Sequence, residues 1–129
     1  MTILQPPGWP RPKGYACGVA ARGTTIFVSG QIGWDEHGRF TADDLAGQVR
    51  QALHNVVSVL AEAGAHPADV ARMTWFVTDK REYLAAQSAI GEAYREVMGR
   101  HYPAMSVVEV SALLEDGAKV EIEATAVVA

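Results

Sequence analysis

The chain has 129 residues, 49% of them hydrophobic and 20% charged, and a formal net charge of −4. This length suffices for one domain with a real core and not for two. The mild acidity and scattered basic residues exclude a nucleic-acid-binding stripe, and no apolar run reaches the length of a membrane span.

The N-terminus carries no basic region followed by an apolar one, so no export signal is expected and the default compartment is the cytoplasm. Cys17 is the only cysteine, which rules out an intrachain disulfide, and the four histidines share no metal-ligand spacing. One domain is predicted over residues 1–129. Its first 13 residues, with four of the six prolines and Trp9, read as an irregular arm.

Tyr15 to Ala20 and Thr24 to Ser29 are strand-like runs separated by Ala21-Arg22-Gly23, and a turn closes at Gly38-Arg39. The pattern is that of a β-meander. Asp43-Asp44 then opens a helix, acidic residues being favourable against its N-terminal dipole. Leu45, Val49, Leu53, Val56, Leu60 and Ala63 recur at helical spacing, and Gly64 stands where a terminating glycine belongs. Val70 to Thr78 reads as a buried strand because Trp75-Phe76-Val77 makes both faces apolar. Asp79 caps a second helix with Tyr83, Gln87, Ile90, Tyr94 and Val97 or Met98 inward, ended by Gly99.

Pro103 fixes its own φ and pushes Tyr102 toward an extended conformation, so no helix continues through it. Ser106 to Val110, rich in β-branched residues, reads as a strand that carries residue 105 to the mouth of a sheet. Ala118 to Val127 alternates and puts Glu121 and Glu123 on one face. With Asp116-Gly117 between them, the two runs read as a hairpin bringing Met105 and Glu121 together. The order predicts an α+β sandwich, a mixed sheet with two helices on one face. The other face reads as too apolar to meet water, so subunit association is expected to cover it.

Phe27-Val28-Ser29-Gly30-Gln31-Ile32, Gln48 to Asn55, Thr74 to Asp79, Pro103 to Val110 and Val120 to Ala124 together resemble the YjgF/RidA family, in order and spacing, from about Gly14 to Ala126. The resemblance implies a chorismate-mutase-like fold and a homotrimer with small-molecule clefts between subunits. It also implies hydrolysis, without a cofactor, of enamines and imines released by pyridoxal-phosphate enzymes. By the same resemblance Glu121 orients the attacking water and Tyr15 assists proton transfer. Ser29, Gly30 and Gln87, with Met105, Ser106 and Val107, fall where the family lines its cleft.

Two places depart from the pattern: the first-strand motif, here Lys13-Gly14-Tyr15-Ala16-Cys17, and, decisively, position 105. The family's arginine after Pro-Ala, which grips the substrate carboxylate, is replaced by Met105, and a thioether offers no bidentate grip. The cleft is therefore expected to be greasier and negatively biased, with Glu121 beside Met105. The expected activity is that of a RidA-like deaminase of a small imine, enamine or related metabolite, and not of 2-aminoacrylate in the usual way. The carboxylate, where the substrate has one, would be held by backbone amides near Gly30 and Ser106, or by Arg100 or Arg11. The alternative is a non-catalytic trimer that binds or senses a small apolar ligand. Ribonuclease action has no support here, since neither a basic groove nor a stacking platform is evident. Trp34 is read as a cleft cover or subunit contact, and His101 as the only histidine near the site.

Overall fold

Leu45, Val49, Leu53, Val56 and Leu60 do form one buried stripe, on helix α1 (Leu45–Ala61), and this stripe is the centre of the core. Asp44 caps the helix, its carboxylate accepting from the Gly47 amide, as the sequence suggests. Gly64 ends the helix at φ +68, where the Ala65 amide reaches back to the Leu60 carbonyl. The computed structural model describes residues 1–129.

Around α1 the chain runs β1 (Thr2–Leu4), β2 (Gly18–Ala20), β3 (Thr24–Ile32), α1, a 3-10 turn (Pro67–Asp69), β4 (Val70–Val77), α2 (Lys80–Ala85), α3 (Gln87–Met98), β5 (Ala104–Glu109) and β6 (Val120–Val128). The main sheet has the order β3-β6-β4-β5. β5 lies parallel to β4, and β6 is antiparallel to both its neighbours. The helices cover one face, where Met73, Trp75 and Val77 of β4 and Val120, Ile122, Ala124 and Ala126 of β6 share one core with the α1 stripe and with Ile90 and Tyr94 of α3. The expected sandwich is what forms.

Four local expectations fail. Ser106–Val110 and Ala118–Val127 are not a hairpin, because β4 lies between β5 and β6. Asp116-Gly117 supplies a turn, but each flanking strand finds a better partner in β4. Nor is there a meander: β2 leaves β3 and pairs antiparallel with β1, so residues 2–4 of the supposed irregular arm are a strand. The four prolines lie outside that triplet and cannot prevent the pairing. The second helix is two, broken at Ala86 (φ −100, ψ 9). The open sheet face is also less apolar than expected. Phe27 is 78% exposed there and Val108 joins it, but Thr25, Ser29, Arg72, Glu123 and Thr125 share the face.

Two amides on α1 explain how the sheet end is tied down. Asn55 donates to the carbonyls of Ile32 and Trp34 at 3.0 and 2.8 Å, fixing the exit of β3. Gln48, 2% exposed, donates to Ala42 and Gly117 and accepts from the Lys119 amide at 2.8 Å, joining the β3–α1 and β5–β6 loops. Gln48→Leu keeps the volume and orphans those three backbone groups. It is expected to cost about 3 kcal/mol, seen as a fall of roughly 10 °C in Tm. A Tm within about 2 °C of the parent would show that water satisfies the loops as well as the amide does.

Candidate functional site

Strand parity decides what the sheet presents on each side. Met105 pairs with Met73 and Val107 with Trp75, so both face the helices. Ser106 pairs with Thr74, and Glu121 with Phe76, so both face the open side. Met105 and Glu121 are thus on opposite faces of one sheet with β4 between them. Their expected meeting does not occur within a single chain.

On the helix side a cleft of about 580 Å³ opens between the β4–β5 edge and α2–α3. Ala16 forms a bridge to Ala104, and its amide donates to the Pro103 carbonyl at 2.9 Å. This docks residues 13–15 over the cleft, and Tyr15, Gln87, Met105 and Val107 all line it. Its floor is aromatic. Tyr94 stacks on Tyr102 with centroids 5.5 Å apart, and Trp75 lies 6.4 Å from Tyr94. The Trp75 indole nitrogen is buried without a hydrogen-bond partner.

Within one chain the charge of this cleft is positive. Lys13 and Arg95 line it and no acidic side chain does, because Glu121 is on the other face. Arg11 and Arg100 do not line it either. Arg95 escaped the sequence reading, although a signal was present: Gln87, Gly91 and Arg95 are spaced four apart and share one face of α3. Burial raises the pKa of Tyr83 and of Tyr94, the latter further disfavoured as a phenolate by Tyr102. Both hydroxyls therefore stay protonated at neutral pH, and the Tyr94 hydroxyl is committed to the His101 carbonyl.

On the open face a second group assembles. Between Val28 and Gln31 strand β3 carries one extra residue relative to β6, a β-bulge at Ser29-Gly30. The bulge lays Gly30 against Glu121 so closely that a Cβ on residue 30 would stand 2.3 Å from a carboxylate oxygen. Only glycine permits that approach. Ser29 lines the neighbouring trough with Phe27, Arg72, Thr74, Glu123 and Thr125.

Other candidates are placed elsewhere. Trp34 bridges to Phe40, with ring centroids 6.1 Å apart, and does not line the cleft. His101 uses its Nε2 on the Val70 carbonyl at 2.6 Å, a loop tie instead of a cleft group. Cys17 is exposed. No three His, Cys, Asp or Glu side chains cluster as metal ligands, and no helix is long and apolar enough to cross a membrane.

A mixed four-stranded sheet with its helices on one face and an aromatic cleft at the β5 edge defines the class of YjgF/RidA-like α+β proteins. The chain belongs to the family described as Endoribonuclease L-PSP, whose model matches residues 10–128. It is 38% identical over 105 residues to the 2-iminobutanoate/2-iminopropanoate deaminase of Salmonella typhimurium, covering 81% of this chain and 80% of that one. The human protein of the same name is 32% identical, with 80% and 72% covered. Among solved structures, a Rid-family protein of unknown function from Yersinia pestis superposes with a TM-score of 0.87 at 31% identity over 98% of each chain. Escherichia coli TdcF with bound serine gives 0.71 at 35% identity over 100% of each.

Proposed function

We propose that this chain is a cofactor-independent deaminase of small imines or enamines, working at sites completed between copies of a homotrimer. The observation that carries the reading is the division just described, supported by the deaminase names of its relatives. The cleft with Tyr15, Gln87 and Met105 can hold a ligand and has no base. The bulge with Gly30 and Glu121 has a carboxylate and no cleft. β5 and β3 are the two edge strands of the sheet, β5 being bridged by Ala16 only at its start, so a cyclic arrangement that sets the β5 edge of one copy by the β3 edge of the next joins the halves. Closure with three copies also covers Phe27 and Val108.

In the joined site Glu121 of one copy orients a water for attack on the imine carbon of a substrate held in the next copy's cleft. The C=N bond becomes a C–N single bond and the nitrogen takes a proton. The tetrahedral intermediate then loses ammonia to give the carbonyl product, with Tyr15 assisting the proton transfer. Nothing else is consumed than water. By the family resemblance Met105 stands where an arginine would grip the substrate carboxylate, and 2-aminoacrylate is accordingly expected to be a poor substrate. The ribonuclease reading gains nothing, since both faces of the sheet lack a run of cations.

The test is subunit complementation. Tyr15→Ala removes the cleft half and Glu121→Gln the base half, and each alone is expected to be inactive on imines generated in situ by an amino-acid oxidase. When the two are unfolded, mixed in equal amounts and refolded, about one site in four receives two intact halves, by ½ × ½. Recovery of roughly a quarter of parental activity, in a particle of trimeric mass, is the expected result. No recovery from well-folded mixed trimers would sink the shared site. Absence of turnover by the parent on every imine tried, with ligand binding retained, would leave the binding-protein reading.

A further inference from the structure

Arg95 makes no ion pair: the three in the chain are His37–Glu36, Arg50–Glu96 and Lys119–Glu82. Its position in the last turn of α3 is compatible with a plain helix-end cation. Three observations ask for more. The side chain, though exposed, lines the cleft. It lies against Gly91, where a Cβ would stand 3.2 Å from Nη1, so a side chain at 91 would shift the guanidinium by a few tenths of an ångström or more. And it stands over a floor of Trp75, Tyr102, Met105 and Val107 that offers a ligand apolar surface and no carboxylate.

Resting on the deaminase reading above, we infer that Arg95 is this cleft's anion contact, displaced from strand β5 to helix α3, and that the substrate class is 2-imino acids with bulky apolar or aromatic side chains. At position 105 a cation would hold a carboxylate deep in the cleft and leave little room beyond it. With Met105 there, the deep part is apolar, and the charge is at the mouth. The ligand is reversed accordingly: its side chain lies on Trp75, Tyr102 and Met105, and its carboxylate meets Arg95, with Lys13 nearby. Guanidinium and carboxylate match in shape as well as in charge.

The probes are phenylpyruvate, the keto acid such an imine would yield, its neutral counterpart benzyl methyl ketone, and pyruvate, each titrated by calorimetry into the trimer. Phenylpyruvate is expected to bind at least about tenfold more tightly than either of the others. Arg95→Gln should erase the preference for phenylpyruvate over the neutral ketone without weakening the ketone, and Arg95→Lys should keep part of it. Gly91→Ala, which helix propensity favours, should weaken phenylpyruvate by displacing the guanidinium. In turnover, Arg95→Gln should raise KM roughly 10- to 100-fold and change kcat little. A folded Arg95→Gln trimer that keeps the carboxylate preference overturns the assignment. If that variant also hydrolyses the phenylalanine-derived imine with parental KM, the deaminase reading stands and this one falls. Arg95-dependent binding with no hydrolysis by the parent supports the anion contact and removes the enzyme.

Discussion

Gly30→Ala is expected to abolish imine hydrolysis, with a loss of at least about 100-fold in kcat, while leaving the trimer folded. The cause is purely geometric. An added Cβ at residue 30 would overlap the Glu121 carboxylate, with its Oε2 at 2.3 Å, Cδ at 2.7 Å and Cγ at 2.8 Å. These atoms belong to a flexible side chain, so the carboxylate can swing aside at small cost in stability. Gly30 does not need a positive φ, so alanine adds no backbone strain. A catalytic group moved by an ångström or more can lose about two orders of magnitude. The measurement is a kcat comparison at matched Tm. Parental kcat in Gly30→Ala would mean that the position of Glu121 is irrelevant to the chemistry, and the role given to that carboxylate would have to be withdrawn.

Met105→Arg is expected to do the opposite and to install a grip on small carboxylates. Pyruvate and benzoate should then bind roughly 10- to 100-fold more tightly than to the parent, the range for hydrogen bonds to a charged group. Met105 packs against the core, so the charge costs some stability, about 1–2 kcal/mol. It also adds a third cation to Lys13 and Arg95, and their mutual repulsion is relieved when an anion enters. Hydrolysis of small imino acids should appear with the new grip and vanish when Glu121→Gln is added. Because the two residues face opposite sides of one sheet, that dependence has to act between copies. Calorimetry showing no carboxylate binding by a folded Met105→Arg trimer would mean that the deep cleft has been rebuilt for something other than a carboxylic acid.

What the sequence disclosed and what it hid follow from the range of the interactions. The stripe from Leu45 to Leu60 is local and periodic, so α1 could be read directly, as could β4 with its apolar faces. The alternation of Val120 to Ala124 correctly put Glu121 and Glu123 on one face. It could not say which face Met105 shares, because that depends on the register of β5 against β4, which no local pattern encodes. The same gap produced the false hairpin. The break at Ala86 was invisible for a different reason: alanine is the strongest helix former, and nothing at that position announces a change of axis. As for the site, the sequence reading set Met105 beside Glu121, whereas within one chain the two lie on opposite faces of the sheet. Arg95 lines the cleft from the α3 face it shares with Gln87, whereas Arg11 and Arg100, the cations expected from the sequence, do not.

The place of β6 in the sheet has a consequence for how the protein comes into being. β6 is the last strand in sequence, yet it is central, hydrogen-bonded to β3 on one side and β4 on the other. Until it arrives, β3 has no partner in the main sheet, and the apolar face of α1 has only half a surface to lie on. A chain emerging from the ribosome can form its helices early, but it must wait for its final segment before the sheet closes. Long-range pairing of this kind makes for slow folding and exposes strand edges in the interval. β3 carries Phe27, 78% exposed on the open face, so the waiting chain presents an unpaired strand edge and a large apolar side chain together.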